Sequence, residues 1–153
     1  MQTRQITVSS PVGSLVVSER DDKIVALDWG TAVLESDTSI LAAAAQQLNA
    51  YFYCELRRFD LPLAPAGTPF QQAVWHAMSE IPYGKTRSYG DLARQLDSGP
   101  RAIGTACGRN PLPILIPCHR VLASGARIGG YTSPGGLDTK RLLLKLEGAL
   151  HRP

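Results

Sequence analysis

The tetrapeptide Pro117-Cys118-His119-Arg120 places a thiol next to an imidazole, directly after an aliphatic run. A thiol attacks as the thiolate, so a neighbouring imidazole that takes its proton is what thiol chemistry requires. The simpler interpretation is a buried core cysteine, the usual role of a Cys after large aliphatic residues. A direct Cys118–His119 hydrogen bond needs a sharp bend or a bridging water, because strand neighbours point to opposite faces. Pro117 makes a bend feasible, since its ring fixes φ.

Glu147 is a residue of an unexpected type for its position. It lies in the last turn of a predicted helix, where a negative charge typically costs about 0.3–1 kcal/mol against the helix dipole. A residue that breaks a local rule is a candidate for function, and this carboxylate could orient His119 in a Cys-His-Glu relay. A surface carboxylate near Lys145 or Arg152 is the alternative, and the sequence leaves both open.

Charge is distributed unevenly along the 153 residues. Residues 1–65 hold five Lys and Arg against eight Asp and Glu, whereas residues 66–153 hold eleven against five. A basic half attached to an acidic half favours a polyanionic partner for the basic half, with a mixed solvated surface as the alternative. Two prolines and a glycine in 61–67 indicate a connector. We therefore predict two domains, 1–65 and 66–153.

Cysteine and histidine spacing bears on metals and disulfides. No Cys-x-x-Cys pair occurs among the three cysteines, and the three histidines are not spaced for a tetrahedral site. We expect no metal, no cofactor and no disulfide scaffold. No apolar run reaches about 18 residues, and the first residues lack a hydrophobic signal region. We expect no membrane association and a cytoplasmic location.

The first 65 residues are predicted to be a small structural domain of strands followed by one helix. Alternation and turn residues predict strands over Gln5–Val8, Leu15–Val17 and Lys23–Trp29. An Ala- and Leu-rich pattern predicts a helix over Ser39–Phe52. No catalytic constellation precedes the connector. The expected fold class is mixed α/β (α+β), with an antiparallel sheet in this domain and mostly helices in the other.

Helix signals dominate the second half. Thr68-Pro69-Phe70-Gln71 is a capping box with Pro at the first helical position, and Ser88 begins a second helix with Asp91 as its capping partner. A short third helix follows from Arg101 to Cys107, so the outline is that of a helix-turn-helix. Expected core residues of the first and last helices are Phe70, Val74, Met78, Leu142, Leu143 and Leu146, with Gly148 ending the last one.

The third helix is unusually rich in small residues. Its glycines weaken it by roughly 1 kcal/mol each relative to Ala, so close backbone approach must favour them. The neighbour is either another helix or a nucleic-acid groove. After it, we expect a strand over Ile114–Ile116, a hairpin over 121–128 and a glycine-rich loop over 129–136.

Several segments together resemble the O6-alkylguanine-DNA alkyltransferases. The run from Arg101 to Gly104 and the run from Gly108 to Val121 follow the family signature almost continuously. Ser88-Tyr89-Gly90-Asp91-Leu92-Ala93 and Leu146-Glu147-Gly148 fit its flanking motifs. The resemblance is strong over about residues 68–150. Before residue 65 it covers only the length, the strands-then-helix order and the lack of catalytic groups.

The resemblance implies a role for each matching residue. Cys118 is the expected alkyl acceptor, His119 its water-mediated base, and Glu147 the carboxylate that orients His119. Asn110 is expected to brace the turn beneath the site, and Tyr89 to donate toward the guanine and crowd the adjoining phosphate. The expected substrate-binding residues are Val121, Tyr131 and Ser133. The loop that carries Ser133 is longer than the family's usual one by a residue or two.

The family also implies how DNA is held. The small-residue helix would lie in the minor groove, and Arg101 would enter the duplex in place of an extruded nucleotide. The expected DNA-binding residues are Arg101, Ala102, Gly104, Arg109 and Tyr89. The partner is then double-stranded DNA that contains O6-alkylguanine. We expect a monomer in solution, and cooperation between several copies on DNA stays open.

The implied activity is direct-reversal DNA repair by a methylated-DNA–protein-cysteine S-methyltransferase. The alkyl group of O6-alkylguanine, with O4-alkylthymine as a further option, would move irreversibly to Cys118 in a single turnover. A protein that binds alkyl lesions without chemistry is the alternative, although the presence of Cys118 argues against it. A cysteine hydrolase unrelated to DNA is a third hypothesis, suggested only by the adjacent Cys and His.

Overall fold

The computed structural model describes residues 2–123, 127–131 and 135–149. The chain forms two compact units, which meet between Ala66 and Gly67. The expected fold class is confirmed: over these ranges, a small antiparallel sheet occurs together with five α-helices. Within the described ranges, no helix has both the length and the apolar character that crossing a membrane requires.

The first unit is an antiparallel sheet with one helix. Its three strands are hydrogen-bonded in chain order, so the second strand is central. The hydroxyl of Thr38 caps the helix by accepting from the Leu41 amide. The predicted strands and helix are confirmed with small changes at their ends: β1 (Arg4–Val8), β2 (Leu15–Arg20), β3 (Lys23–Trp29) and α1 (Ser39–Phe52).

The described part of the second unit contains four α-helices and two very short strands. The two strands pair in parallel. This pairing joins the segment just before the helix that begins at Tyr89 to the segment just after the cysteine motif. The elements are α2 (Pro69–Ser79), β4 (Arg87–Ser88), α3 (Tyr89–Gln95), α4 (Pro100–Gly108), β5 (Val121–Leu122) and α5 (Leu137–Leu146).

Local capping explains where these helices begin and end. Reciprocal side-chain and backbone hydrogen bonds join Thr68 to Gln71 and Ser88 to Asp91, as the capping boxes predict. Gly148 has φ +75°, a conformation that glycine adopts without steric cost. Its amide and the next one bond back to the last turn of α5, which satisfies carbonyls that a helix end leaves open.

Trp75 fixes α4 against α2. This tryptophan is almost fully buried, and its indole Nε1 donates a 2.9 Å hydrogen bond to the carbonyl of Ala106. Ile103 of α4 and Met78 of α2 are also fully buried. Packing with other protein elements therefore accounts for one side of the small-residue helix, and its other side carries the candidate site.

Three sequence predictions in this unit are wrong. Ile114–Ile116 forms a hydrogen-bonded turn, with Ile114 at φ +75°, and not a strand. Phe70 is 37% exposed, because it lies in the first turn of α2. On α5 the face that packs inward is rotated from the expected one. Leu142 is 36% exposed, whereas Leu144 is buried.

The hairpin expected over 121–128 is only partly formed. Ala123 and Arg127 make a single antiparallel bridge, and residues 124–126 lie outside the described part of the chain. Val121 and Leu122 pair with β4 instead. The segment after the cysteine motif is thus held by the start of the helix-turn-helix, which places Tyr89 beside it.

Candidate active site

A tight turn at Pro117 delivers the cysteine. Pro117 has φ −79° and ψ 67°, and the Cys118 amide donates a 2.8 Å hydrogen bond to the Ile116 carbonyl. These values are those of an inverse γ-turn. Cys118 then begins a single 3-10 turn that ends at Arg120. A bend at Pro117, which the sequence makes feasible, is therefore present.

Asn110 holds the loop before this turn closed. Its amide Nδ2 donates to the Ile116 carbonyl and its Oδ1 accepts from the Leu112 amide, both at 2.9 Å. These two bonds span the segment in which Ile114 takes its left-handed conformation. Such a conformation costs a β-branched residue of order 1–3 kcal/mol and persists only when its surroundings impose it. Asn110 supplies that constraint.

Cys118 lies on the wall of a cavity. The residue is only 9% exposed, but it lines an internal space of about 310 Å³. A cavity of this size lies at the lower end of the roughly 300–1,000 Å³ that is typical of small-molecule sites. The residues lining it are Tyr89, Gly104, Cys107, Gly108, Cys118, Gly130 and Tyr131.

The thiol of Cys118 is protonated at rest. Burial raises its pKa above the ordinary value, because a thiolate loses its hydration there. The Asn110 side chain, the Lys140 ammonium and the Tyr131 hydroxyl act in the opposite direction, since each favours the anion. The nucleophile therefore needs a base when it reacts, and the groups that would stabilise the resulting thiolate are already in place.

His119, Arg120 and Glu147 form a buried ionic cluster. His119 Nε2 lies 2.7 Å from Glu147 Oε2, and both side chains are shielded completely from solvent. Arg120 donates from Nε to Oε1 at 2.8 Å and from Nη2 to Oε2 at 3.0 Å, while its Nη1 binds the Ile81 carbonyl at 2.7 Å. Two donors therefore compensate the carboxylate that sequence reasoning found misplaced at the end of α5.

The protonation states of this cluster follow from its contacts. Burial alone would raise the pKa of Glu147, but hydrogen bonds from His119 and Arg120 outweigh it and bring that pKa to about 2. Burial lowers the pKa of His119 despite its carboxylate partner, so the imidazole is neutral at pH 7. Because Glu147 only accepts, His119 carries its proton on Nε2. Its Nδ1 is then a basic acceptor, and none of the described residues donates to it.

Lys140 is a buried cation that sequence reasoning missed. Its side chain is fully buried, and Nζ donates to the carbonyls of Val121 at 2.7 Å and Gly130 at 3.2 Å. Burial lowers its pKa to about 8, although the two nearby thiols act to raise it. Lys140 thus joins β5 to the loop that forms one side of the cavity, and it is a positive charge near Cys118.

Two tyrosines add hydroxyl groups to the cavity. Burial raises the pKa of Tyr89 to about 12, and it raises that of Tyr131 well above its ordinary value. Both hydroxyls therefore keep their protons at neutral pH and can donate. Tyr131 lines the cavity together with Cys118, and Lys140 Nζ lies 5.9 Å from the centre of the Tyr89 ring.

The structure brings together some of the expected residues and separates others. Cys118, Tyr89, Tyr131 and Gly104 line one cavity, while His119 and Glu147 pair behind it. Val121 is buried in β5 and does not line the cavity. Ser133 lies outside the described residues. Three other expected residues are exposed on or just after α4, namely Arg101, Ala102 and Arg109.

The sequence analysis assigned no role to Arg120, although this residue belongs to the Pro-Cys-His-Arg motif. A cation directly after the Cys-His pair was a signal that a buried carboxylate would need compensation. The sequence contains even less to indicate that Lys140 is buried. It lies two residues after Asp138 in an ordinary amphipathic pattern, and only its burial distinguishes it from a surface lysine.

Comparison with known protein families decides the relationship. The model described as 6-O-methylguanine DNA methyltransferase, DNA binding domain, matches residues 69–149. The model for the ribonuclease-like domain of the same proteins matches residues 4–65. The chain belongs to the 6-O-methylguanine DNA methyltransferase family. The predicted resemblance is thereby confirmed, and the family extends over the first unit, where the sequence motifs were weak.

Individual family members are similar over nearly the whole chain. A methylated-DNA–protein-cysteine methyltransferase of Methanosarcina acetivorans is 43% identical over 150 residues, which cover 92% of this chain and 95% of that protein. The constitutive enzyme of that name from Bacillus subtilis is 42% identical over 154 residues, with coverage of 92% and 93%. These names do not favour the hypotheses of a hydrolase or of a lesion binder without chemistry.

Solved structures of family members have the same fold. The crystal structure of the Mycobacterium tuberculosis O6-methylguanine methyltransferase has a TM-score of 0.86 and 39% identity, and covers 99% of this chain and 96% of that one. The structure of the M. tuberculosis protein in complex with DNA also has a TM-score of 0.86, with 41% identity and coverage of 95% and 93%. Within the described ranges, this 6-O-methylguanine DNA methyltransferase family member has no cluster of three or more His, Cys, Asp or Glu that could hold a metal.

Proposed function

We propose that this protein repairs O6-alkylguanine in double-stranded DNA by moving the alkyl group irreversibly to its own Cys118. The carrying observation is a buried thiol on the wall of a base-sized cavity, next in sequence to an imidazole that a buried carboxylate orients. O4-alkylthymine is a second candidate substrate, since it offers the same alkyl–oxygen bond. A monomer acting on one lesion is sufficient for this chemistry.

The target base must leave the duplex before it can react. Cys118 is buried, so a stacked base cannot reach it, and flipping a nucleotide costs a few kcal/mol. Arg101, exposed at the start of α4, would occupy the gap in the duplex and offset part of that cost. The small residues of α4, among them Ala102, would allow the helix to lie in the minor groove, and Arg109 would contact phosphate.

The transfer step is an in-line displacement at the alkyl carbon. The Cys118 proton passes through a water molecule to His119 Nδ1, and the resulting thiolate forms the S–C bond as the C–O6 bond breaks. The electron pair of the C–O6 bond stays on guanine. Tyr89 would donate a hydrogen bond to the leaving base, which its raised pKa permits because the phenol stays protonated.

The product explains why the protein acts once. The new bond at Cys118 is a thioether, which has no carbonyl for water to attack. Unlike an acyl-enzyme it is not hydrolysed, so each molecule repairs a single base. Cys107, also in the cavity, is not the acceptor in this scheme, because burial raises its pKa to about 12 and it has no base nearby in sequence.

Intact-mass analysis tests the proposal directly. Incubation with duplex DNA that contains O6-methylguanine should add one methyl group, and peptide mapping should place it on Cys118. Cys118→Ser should abolish the gain, whereas Cys107→Ser should retain it. An unmodified wild-type protein after complete lesion binding would refute transfer, and equal loss in both variants would refute the assignment of Cys118.

A further inference from the structure

One face of α4 forms a wall of the cavity that holds Cys118. Gly104, Cys107 and Gly108 follow the i, i+3, i+4 spacing that places residues on one side of a helix, and all three line the cavity. We propose that this face, called the α4 wall below, sets the largest alkyl group that Cys118 accepts. The inference rests on the proposed alkyl transfer and deepens it by naming what selects the substrate.

The small volume of the cavity is the reason that the α4 wall can limit the size of the alkyl group. A flipped purine and its alkyl substituent would enter a half-open cavity of only about 310 Å³, and three of the described residues that line it belong to α4. The cavity is also lined by Tyr89, Tyr131 and Gly130, and Lys140 ties Gly130 to Val121 of β5. Because well-packed protein does not yield easily to added volume, atoms added to the α4 wall reduce the space left for the alkyl group.

The two glycines are positions where volume can change without moving the reacting groups. A Cβ atom at Gly104 or Gly108 would meet nothing within 4 Å beyond the helix's own backbone. Neither glycine has a positive φ, so alanine fits the backbone. Gly129 differs, because a Cβ there would lie 3.3 Å from the Tyr89 hydroxyl at φ +73°. Substitution at Gly129 would therefore displace Tyr89, whereas substitution on α4 changes only the free space.

Cys107 lies between the glycines and contributes space, not chemistry. Its sulfur is 3.4 Å from the Met78 sulfur in the core, which holds the thiol on the inner side of the helix. The raised pKa keeps it neutral. The same side chain also lines the cavity. Removing its sulfur would enlarge the cavity, and a larger residue could not enter the filled space around Met78.

Single-turnover transfer rates with alkyl groups of different size test the α4 wall. Wild-type, Gly108→Ala and Gly108→Val proteins are compared on duplexes that contain O6-methylguanine or O6-benzylguanine, with intact mass as the readout. The benzyl-to-methyl rate ratio should fall at least tenfold in Gly108→Ala and further in Gly108→Val. Cys107→Ala should raise it. Gly99→Ala is the matched control, since Gly99 is the N-cap of the same helix, has open space at Cβ and is not among the residues that line the cavity.

The outcomes separate this inference from the proposed function. The same rate ratio in Gly108→Ala, Gly108→Val, Cys107→Ala and wild type would overturn the α4 wall while leaving alkyl transfer intact. Absence of any transfer by the wild-type protein would instead overturn the proposed function. Repeating the comparison with the free bases O6-methylguanine and O6-benzylguanine removes DNA contacts from the measurement. A ratio that changes only on duplexes would also overturn the inference.

Discussion

His119 Nε2 and Glu147 Oε2 lie 2.7 Å apart, and neither side chain is accessible to solvent. Because the carboxylate can only accept, this contact determines which imidazole nitrogen holds the proton. Arg120 donates to both oxygens of the same carboxylate. Glu147 is thereby held as an anion between two donors, and His119 keeps Nδ1 available as a base.

Replacing Glu147 with glutamine should slow alkyl transfer. The amide presents an NH₂ group toward either His119 or Arg120, so one of the two donors loses its acceptor and the imidazole loses its fixed tautomer. General-base catalysis typically contributes about 10²–10⁴-fold, and we expect a loss of about 10²-fold in the single-turnover rate. Glu80→Gln is the control, because Glu80 is an exposed carboxylate at the end of α2. A Glu147→Gln rate equal to wild type would show that the relay is not used.

The free energy of unfolding should decrease as the pH falls from 4.5 toward 2, because Glu147 is protonated over this range. Its folded pKa of about 2 lies below the ordinary value of 4.5, so its contribution is complete above pH 4.5 and is lost as pH falls toward 2. The shift corresponds to about 3 kcal/mol. Urea unfolding at pH 6 and at successive values down to 2.5 measures it. The Glu147→Gln variant should have a smaller change over this range, and an identical profile would exclude Glu147 as the source.

Replacing Lys140 with methionine should make Cys118 less reactive. The Lys140 ammonium lowers the Cys118 pKa, so its removal raises that pKa and reduces the thiolate fraction at neutral pH. A rise of one unit reduces the fraction about tenfold. The rate of iodoacetamide alkylation of Cys118, followed against pH by peptide mapping, gives the apparent pKa. Lys145→Met on the same helix is the control, since Lys145 is exposed. An apparent Cys118 pKa equal to that of the wild type in Lys140→Met would show that Lys140 does not activate the thiol.

Arg101→Ala should impair repair of duplex DNA much more than reaction with a free base. If Arg101 fills the space of the flipped nucleotide, its loss leaves the flipping cost uncompensated, which matters only for a duplex. We expect the rate on O6-methylguanine duplex to fall at least tenfold more than the rate on free O6-benzylguanine. Arg141→Ala, which removes another exposed arginine, is the comparison. Equal losses on both substrates would place Arg101 in the chemical site instead of the duplex.

The helix ends were predictable because their causes are local. Thr68 and Gln71, or Ser88 and Asp91, are three residues apart, and their hydrogen bonds form whenever the chain turns into a helix. The error over Ile114–Ile116 has a local cause as well. Three aliphatic residues resemble a buried strand, but Asn110 closes the segment into a turn through bonds that hydrophobic periodicity does not reveal.

Burial of charged residues was harder to predict. Lys140 has the sequence surroundings of a surface lysine, and yet its ammonium is enclosed between the Val121 and Gly130 carbonyls. The elements packed against α5 decide which of its faces is buried. Leu142 was expected in the core, but Leu144 lies there instead. The same rotation carries Lys140 into the interior.

The amino-acid sequence by itself determined the reactive motif, the helix boundaries and the family, because each depends on residues that are adjacent or a few positions apart. The pairing of Glu147 with His119, 28 positions away, was one of two possibilities from the sequence; only the tertiary structure decided that Arg120 shares the same carboxylate, that Lys140 is buried, and that α4 borders the cavity. The physical reason is that a buried charge is stable only where its partner is also buried. That condition is met by the packing of whole helices, and a short window of sequence does not record it.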